Sequence, residues 1–224
     1  ANQGACTHPC RWKYSIVEEK RPGEYMPVFE NERGTYIFNS KDLCMVEHMD
    51  DILTAGIDSL KIEGRMKTAL YVATVARTYR KAIDDYFDSP ELYQKNMPWY
   101  REQIMGCTYR QFTTGFFYGK PDETAQIYDS NTYAKDYTYL GYLEDRTPEG
   151  LYRITQRNKF LVGENIEAMK PDGENRPVVV KAIYDEEGNS CESAPHPQQV
   201  LYVDLGEGLE LYDILRRKEA VPEL

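Results

Sequence analysis

The sequence contains no apolar run close to the roughly 20 residues that a membrane-spanning helix requires. Its first five residues resemble neither the basic nor the apolar segment of a secretion signal. Cysteine is scarce, with 5 residues spread thinly over 224. An odd number of cysteines without a secretion signal argues against a disulfide framework. We therefore expect a protein of the reducing cytoplasm that makes no contact with a membrane.

Several common catalytic motifs are also missing. The chain has no Gly-rich phosphate-binding loop, no His-Glu-x-x-His and no Gly-x-Ser-x-Gly. These patterns mark nucleotide-binding enzymes, a large group of zinc peptidases and the α/β-hydrolases. The chain therefore lacks the motifs that define these three enzyme classes, and we exclude those classes.

Acidic residues outnumber basic ones and give a formal net charge of −10. The excess lies in the second half, where residues 120–224 hold 12 Lys and Arg against 21 Asp and Glu, while residues 1–119 hold 15 against 16. A surface that neutralises many phosphates needs clustered cations. The second half is therefore a poor candidate for nonspecific nucleic-acid binding, and the first half stays open.

In the first half, hydrophobic periodicity predicts strands that alternate with helices. Strands are expected at 35–40 and 57–62, and helices at 42–55, 66–87 and 90–105. A β-α-β-α order is typical of a parallel sheet whose functional side chains follow the carboxyl ends of the strands. Two strands cannot close a barrel, so the pattern predicts only part of one.

The second half changes to short β-branched and aromatic segments separated by turn sequences. This pattern predicts a small all-β domain, and a compact barrel is favoured because closure removes unpaired edges. We therefore divide the chain into an α/β part at 1–119, a linker at 120–132 and an all-β part at 133–224. Five strands are expected, at 137–143, 151–155, 165–169, 178–184 and 200–203.

Cysteines near predicted strand ends are the first candidates for chemistry. Cys6 and Cys10 enclose a histidine, and thiolates there could bind zinc or iron with help from the cations Arg11 and Lys13. The alternative interpretation is that Cys6 and Cys10 lie in an ordinary loop, with one of them buried and the other exposed. Cys44 is predicted at the start of a helix, whose dipole would favour its thiolate. A buried apolar cysteine is the alternative at that position.

A second candidate group follows the predicted strand 57–62. Lys61 and Glu63 would share one face of that strand, and the guanidinium of Arg65 could hold a carboxylate or a phosphate. An ordinary ion pair between Glu63 and Arg65 is the alternative. Their position at a strand end favours a substrate-binding role.

Several blocks of the sequence resemble those of a known family. NQGACTHPCRWKY at 2–14, NSKDLC at 39–44 and DSLKIEGRMK at 58–67 closely resemble signature blocks of the peptidase U32 family, the collagenase-like proteases. Residues 156–160, 194–199 and 215–217 look like parts of the C-terminal β-barrel domain of that family. The first block is most similar to the branch that contains the prephenate-dependent tRNA uridine hydroxylation proteins.

The resemblance implies a TIM-like barrel followed by the β domain, and a 4Fe-4S cluster held by four cysteines. Cys6 and Cys44 match two of those ligands, and Cys10 matches a cysteine that some relatives use instead. The other two ligands would precede Ala1, so we expect the chain to be a C-terminal piece of a longer protein. We expect this piece to hold no intact cluster and to be inactive by itself.

The resemblance also suggests a function for the parent protein. It would hydroxylate the wobble uridine of tRNA with prephenate or a molecule derived from it, and Lys61, Glu63 and Arg65 would bind substrate. A collagenase-like peptidase is one alternative, and a β domain that binds RNA or a protein partner is another. Because part of a barrel exposes apolar edges, we also expect pairing with a second copy of the chain.

Overall fold

A computed structural model describes residues 16–17, 22–23, 25–26, 41–107, 111–119 and 137–219. The chain forms two compact units, one from residues 1–45 and 109–133 and the other from residues 46–108 and 134–224. No helix within the described ranges has both the length and the apolar character needed to cross a bilayer.

The first unit contains two short strand pairs. Strand β1 (Ile16–Val17) pairs with β2 (Tyr25–Met26) in the antiparallel direction. Strand β3 (Asp42–Leu43) pairs with β4 (Phe112–Thr113) in the parallel direction. The parallel pair has the orientation expected for strands that alternate with helices.

The second unit begins with a 3₁₀ turn at Val46–His48 and three helices, which are α1 (Met49–Thr54), α2 (Ala69–Asp88) and α3 (Pro90–Met105). The predictions of helices at 66–87 and 90–105 are thus confirmed.

Side-chain caps explain where the two long helices begin. The hydroxyl of Thr68 accepts a hydrogen bond from the N–H of Tyr71, and the hydroxyl of Ser89 accepts one from the N–H of Leu92. Pro90 occupies the first position of α3, where its missing N–H leaves no hydrogen bond unmade.

Two predictions for the segment before α2 are wrong. Residues 57–62 form no strand, because no strand of the described ranges pairs with them. All six residues are exposed. Residues 42–55 were expected to form one helix, but they start with β3, continue through the 3₁₀ turn and become helical only in α1. The strand expected at 35–40 lies outside the described residues.

The remainder of the second unit consists of two antiparallel sheets. A four-stranded sheet has the order β5-β13-β8-β9, and a five-stranded sheet has the order β11-β10-β12-β7-β6. The strands are β5 (Tyr137–Tyr142), β6 (Asp145–Arg146), β7 (Tyr152–Thr155), β8 (Asn165–Met169), β9 (Asn175–Val179), β10 (Ala182–Tyr184), β11 (Ser190–Cys191), β12 (Val200–Asp204) and β13 (Ile214–Lys218).

Both sheets contribute to one apolar core. Leu140 and Leu215 from the four-stranded sheet and Ile154, Ile183 and Leu201 from the five-stranded sheet have no exposed surface. The class expected from the sequence, an α/β part followed by an all-β part, is confirmed only as a mixture of helices and several antiparallel sheets.

The strand predicted at 178–184 is divided because the chain passes from one sheet to the other. The N–H of Val180 donates to the carbonyl of Glu164, 3.0 Å away, while the next N–H, of Lys181, donates to Asp204 at 2.9 Å. Neighbouring residues therefore bond to different sheets, and a single apolar run yields the end of β9 and the start of β10.

Strand β13 was not predicted because its sequence is strongly basic. Its centre is Arg216, which is 1% exposed. The Nε of Arg216 donates to Glu167 at 3.1 Å, and the guanidinium lies 3.8 Å from the ring centroid of Tyr137. The ion pair and the ring replace the water that this cation loses on burial.

Helix α2 packs on the four-stranded sheet through an apolar patch of Leu70, Tyr139, Met169 and Ile214. Beside this patch lies a buried polar contact that the sequence did not reveal.

Arg77 of α2 is the centre of that contact and is 7% exposed. Its Nη1 donates to the carbonyl of Lys170 at 3.1 Å and to Oδ1 of Asn175 at 2.9 Å, and its Nη2 donates to Oε1 of Gln103 at 2.6 Å. Burial, assisted by the charge of Arg216, lowers the pKa of Arg77 to about 10. The side chain remains a cation at neutral pH and joins α2, α3 and the β8–β9 turn.

Replacing Arg77 with methionine should lower the free energy of unfolding by about 2–4 kcal/mol, because buried acceptors lose their donor. The measurement is urea unfolding followed by circular dichroism. The control is Arg80→Met, three residues along α2, where an exposed ion pair with Asp84 is lost and the cost should stay under about 0.5 kcal/mol. Equal costs for the two variants would contradict the role given to Arg77.

Candidate functional site

Cys44 is the one proposed cluster ligand within the described part of the chain. It directly follows β3, and its N–H donates to the carbonyl of Thr113 at 3.0 Å, next to the bond from the N–H of Asp42 to Gln111 at 2.8 Å. Cys44 is half-buried. Its backbone is thus held at the carboxyl end of a parallel strand, which is where α/β proteins place functional groups.

The expected stabilisation of a Cys44 thiolate by a helix dipole is wrong. The 3₁₀ turn begins two residues later, at Val46, and α1 begins only at Met49. The dipole effect is confined to the first turn of a helix. Cys44 therefore lies at the end of a strand and not at the N-terminus of a helix.

The three proposed substrate-binding residues lie in the segment that precedes α2. Lys61, Glu63 and Arg65 are all exposed and lie outside regular structure. The carboxylate of Glu63 accepts a hydrogen bond from the backbone N–H of Arg65 at 3.2 Å. That bond forms a local turn.

Gly64, in the middle of this turn, packs closely against α2. A side-chain carbon at Gly64 would lie 2.9 Å from Cγ2 of Val72. The turn is therefore held against the first residues of α2, and it presents side chains of both charges to solvent. Their role as substrate ligands stays a prediction.

Of the three proposed metal ligands, Cys44 alone lies within the described ranges. Cys6 and Cys10 lie outside those ranges, so their predicted roles stay predictions. Among the described residues, no cluster of three or more His, Cys, Asp or Glu is arranged to hold a metal ion. A thiolate donor at Cys44 is nevertheless of the type that binds iron–sulfur clusters.

A buried carboxylate between α2 and α3 was missed by the sequence analysis. Asp85, 5% exposed, accepts hydrogen bonds from Tyr100 at 2.5 Å, from Asn96 at 2.7 Å and from Lys81 at 3.0 Å. The sequence signal that could have revealed the burial of Asp85 is its position seven residues after Thr78, on the apolar face of α2. Because three donors surround Asp85, we assign it a structural role.

The surroundings of Asp85 and Tyr100 shift both pKa values. Burial by itself raises the pKa of Asp85, but the hydrogen bonds from Tyr100, Asn96 and Lys81 outweigh burial and hold the pKa below its ordinary value. Burial and the adjacent carboxylate raise the pKa of Tyr100. Both groups therefore keep their ordinary charge states at neutral pH.

Asp85→Asn should lower the free energy of unfolding at pH 7 by about 1–3 kcal/mol, since a charged acceptor of three hydrogen bonds is lost. A depressed folded-state pKa contributes stability above the unfolded value near 4, and this contribution is lost as the pH falls through the folded pKa. The difference between wild type and variant should therefore shrink below about pH 4 in urea unfolding series. Asp84→Asn, exposed on the same helix, is the control, and a pH-independent difference for Asp85→Asn would refute the assignment.

Cys107 is a buried thiol at the end of α3. It is 3% exposed, and its Sγ–H donates to the carbonyl of Gln103 at 3.6 Å. Burial raises its pKa to about 11, although Thr74 and the nearby cations oppose this shift. Cys107 is therefore a packing residue and not a reactive thiol.

Iodoacetamide should modify Cys191 but not Cys107 in the folded protein at pH 8. Cys191 is half-buried on β11, whereas a thiol of pKa 11 is ionised in about one molecule in a thousand at that pH and is also shielded. Peptide mass spectrometry would measure both sites. In urea both should react, and equal rates in the folded protein would contradict the assignment.

Comparison with known proteins adds a family context. A model described as peptidase family U32 matches residues 1–127, and one described as the peptidase family U32 C-terminal domain matches residues 135–216. The tRNA hydroxylation protein P1 of Bacillus subtilis is 33% identical over 221 residues, which cover 97% of this chain and 51% of that protein. The tRNA hydroxylation protein P of Escherichia coli is 31% identical over 262 residues, with coverage of 96% and 56%.

Other relatives cover less of the chain. A collagenase of Porphyromonas gingivalis is 34% identical over 120 residues, which cover 54% of this chain and 28% of that protein. The solved C-terminal domain of a Geobacillus thermoleovorans U32 peptidase is 34% identical and covers 37% of this chain and 92% of that domain, with a TM-score of 0.33. The chain spans about half the length of the first two curated relatives.

Proposed function

The chain belongs to peptidase family U32, and we propose that its parent protein hydroxylates the wobble uridine of tRNA. The observation that carries this proposal is the match to the tRNA hydroxylation protein P1 of Bacillus subtilis over 97% of the chain. This match includes both the helical part and the β part. A transfer of function from a relative that shares both parts is stronger than one from a single shared domain.

The fold that we propose for the parent is a TIM-like barrel followed by a small β-barrel. The parallel pair β3–β4 supports the first element, and the two sheets around one core support the second. The remaining barrel strands would belong to the part of the relatives' length that this chain does not span. In such a barrel Cys44 would lie on the face where active sites form.

We propose that Cys6 and Cys44 contribute two of the four thiolates that hold a 4Fe-4S cluster, with Cys10 as an alternative ligand. The strand-end position and the half-buried thiol of Cys44 support its part in this proposal. A bound cluster would supply one-electron chemistry. The ligands must be assembled by the complete fold, so we expect no intact cluster in the isolated 224-residue chain.

Lys61, Glu63 and Arg65 would bind the small-molecule substrate, for which prephenate or a molecule derived from it is the candidate. The guanidinium of Arg65 can form two parallel hydrogen bonds with a carboxylate, and Lys61 adds a second exposed cation. The bond from the N–H of Arg65 to Glu63 holds the turn that carries them. Glu63 would therefore also help to position the two cations.

A collagenase-like peptidase is the second candidate function. The similarity to the Porphyromonas gingivalis collagenase favours it, although that match covers only 54% of the chain. The parent protein would then cleave gelatin and would leave tRNA nucleosides unchanged.

The two candidates are separated by mass spectrometry of tRNA nucleosides from cells that lack the full-length gene. Loss of hydroxylated uridine is expected, with recovery when the wild-type gene is returned. The Cys44→Ser gene should not restore the modification, and the anaerobically purified variant should lose the visible absorbance of the cluster.

Cys191→Ser is the matched control, because it removes a half-buried thiol that lies far from the proposed ligands in sequence. This variant should restore the modification and keep the absorbance. Unchanged tRNA in the deletion strain, together with gelatin cleavage by the purified parent protein, would replace the first proposal by the second.

A further inference from the structure

Three segments whose sequences suggested a β domain meet at one end of the two sheets. The N–H of Gln156 donates to the carbonyl of Gln199 at 2.8 Å, and the N–H of Gln198 donates to that of Gln156 at 2.7 Å. Nη1 of Arg217 donates to the carbonyl of Lys159 at 3.1 Å. We call this region the glutamine end and define it by Gln156, Arg157, Lys159, His196 and Gln199.

The inner face of the sheet becomes polar at this end. On β7 and β12, Ile154 pairs with Leu201 and Thr155 with Val200. The register therefore places Gln156 opposite Gln199, on the same face as the buried pair Ile154 and Leu201. Two carboxamides continue a row that is otherwise apolar.

The two glutamines are not fully satisfied by the residues that the structure describes. Gln156 is 1% exposed, and its Nε2 donates to the carbonyl of Ala194 at 2.7 Å. The Oε1 atoms of Gln156 and Gln199 are buried and have no hydrogen-bond partner in the described ranges. A buried acceptor without a donor costs about 1–3 kcal/mol. The half-buried side chain of Gln199 could therefore rotate toward solvent, because its Oε1 has no hydrogen bond to break.

The loop beside the glutamines is held firmly while its cations stay exposed. The N–H of Arg157 donates to the carbonyl of Leu140 at 2.9 Å, and the side chain of Asn158 donates to the carbonyl of Tyr139 at 2.6 Å. Arg157 and Lys159 are nevertheless exposed. Among the described carboxylates, none lies within ion-pair distance of either cation, although the neighbouring Arg217 pairs with two. The side chain of Arg157 hydrogen-bonds with Tyr139, which leaves its positive charge unbalanced. Two cations without a carboxylate partner in an acidic half of the chain indicate an anionic ligand.

The facing turn is equally constrained. His196 lies between Pro195 and Pro197, and all three residues are exposed. Gln198 has a φ of 65°, in the left-handed region that costs a residue with a side chain about 1 kcal/mol. A planar imidazole is thus presented on a rigid turn beside the cations.

We propose that the glutamine end binds an unpaired segment of RNA. Arg157 and Lys159 would contact phosphates, His196 would stack on a base, and Gln199 would accept a hydrogen bond from a base amino or imino group. The choice of RNA as the ligand rests on the proposed function. The glutamine end contains none of the proposed cluster ligands, so its role would be to hold the tRNA without taking part in the reaction.

The test measures binding of the 224-residue chain to a fluorescein-labelled 17-nucleotide anticodon stem–loop by fluorescence anisotropy at several salt concentrations. Lys159→Ala and Arg157→Ala should each weaken binding about 3- to 10-fold and reduce the salt slope by about 0.7, the contribution of one phosphate contact. Gln199→Leu should weaken binding by a similar factor without changing the salt slope, because its contact is not ionic. Leucine suits the apolar row, so this variant should fold.

Lys181→Ala is the matched control. Lys181 is exposed and bonded to Asp204 at the opposite end of β12, about 17 Å from Gln199 by strand geometry. Lys181→Ala removes the same charge from the same all-β part as Lys159→Ala. It should change the affinity for RNA by less than about 1.5-fold. Equal weakening by Lys159→Ala and Lys181→Ala would indicate nonspecific attraction and would overturn the proposal. So would an unaltered affinity of Gln199→Leu, or no binding at micromolar protein.

This inference and the proposed function can fail separately. If the deletion strain loses hydroxylated uridine but the glutamine-end variants bind RNA like wild type, the function stands and the RNA site is refuted. If the deletion strain keeps its tRNA modification while Lys159→Ala and Gln199→Leu both weaken RNA binding, the site stands and the hydroxylation proposal fails.

Discussion

The arrangement of the larger unit depends on the burial of one guanidinium group between helices and sheet. Arg77 donates hydrogen bonds from α2 to Gln103 of α3 and to the turn between β8 and β9. A buried cation needs hydrogen-bond acceptors around it, and both terminal nitrogens of Arg77 have them. Its principal partners are carbonyl and carboxamide oxygens rather than carboxylates, so their geometry matters more than their net charge. The position of the two helices is therefore coupled to that of the four-stranded sheet.

This dependence has a consequence for the family domains. The first family match ends at residue 127 and the second begins at residue 135, so the family boundary lies between them. Helices α2 and α3 precede this boundary, but they belong to the same compact unit as the two sheets that follow it. The apolar patch around Leu70 and the polar contact at Arg77 both cross the boundary. The β part thus packs directly against the long helices that precede the boundary.

The two candidate regions differ in how much of their chemistry this chain contains. Cys44 offers one thiol at a strand end, and Cys6 and Cys10, the other proposed cluster ligands of this chain, lie outside the described ranges. The glutamine end lies within the described part of the chain, because all five of its residues come from the segments that follow β7 and precede β12. The proposed cluster ligands and small-molecule ligands all lie before Met66 in the sequence, whereas the proposed RNA ligands all lie after Thr155.

Local sequence was sufficient where local interactions dominate. Thr68, Ser89 and Pro90 specify the starts of α2 and α3, and alternating apolar residues specify β5, β7, β8 and β12. The family blocks likewise identified the chain as a U32 protein without any structural information.

Only the tertiary structure decided the features that depend on partners distant in sequence. Residues 57–62 have a strand-like pattern, but a strand exists only when a neighbour completes its hydrogen bonds, and no described strand does so. Arg216 and Arg77 look like surface residues until Glu167, the ring of Tyr137 and the acceptors around Arg77 are brought to them by the folded sheet. The pairing of Gln156 with Gln199 follows from the register of β7 with β12, which joins residues more than 40 positions apart. Hydrophobic patterns encode which face of an element is buried, but the compensation of a buried polar group is a property of the assembled fold.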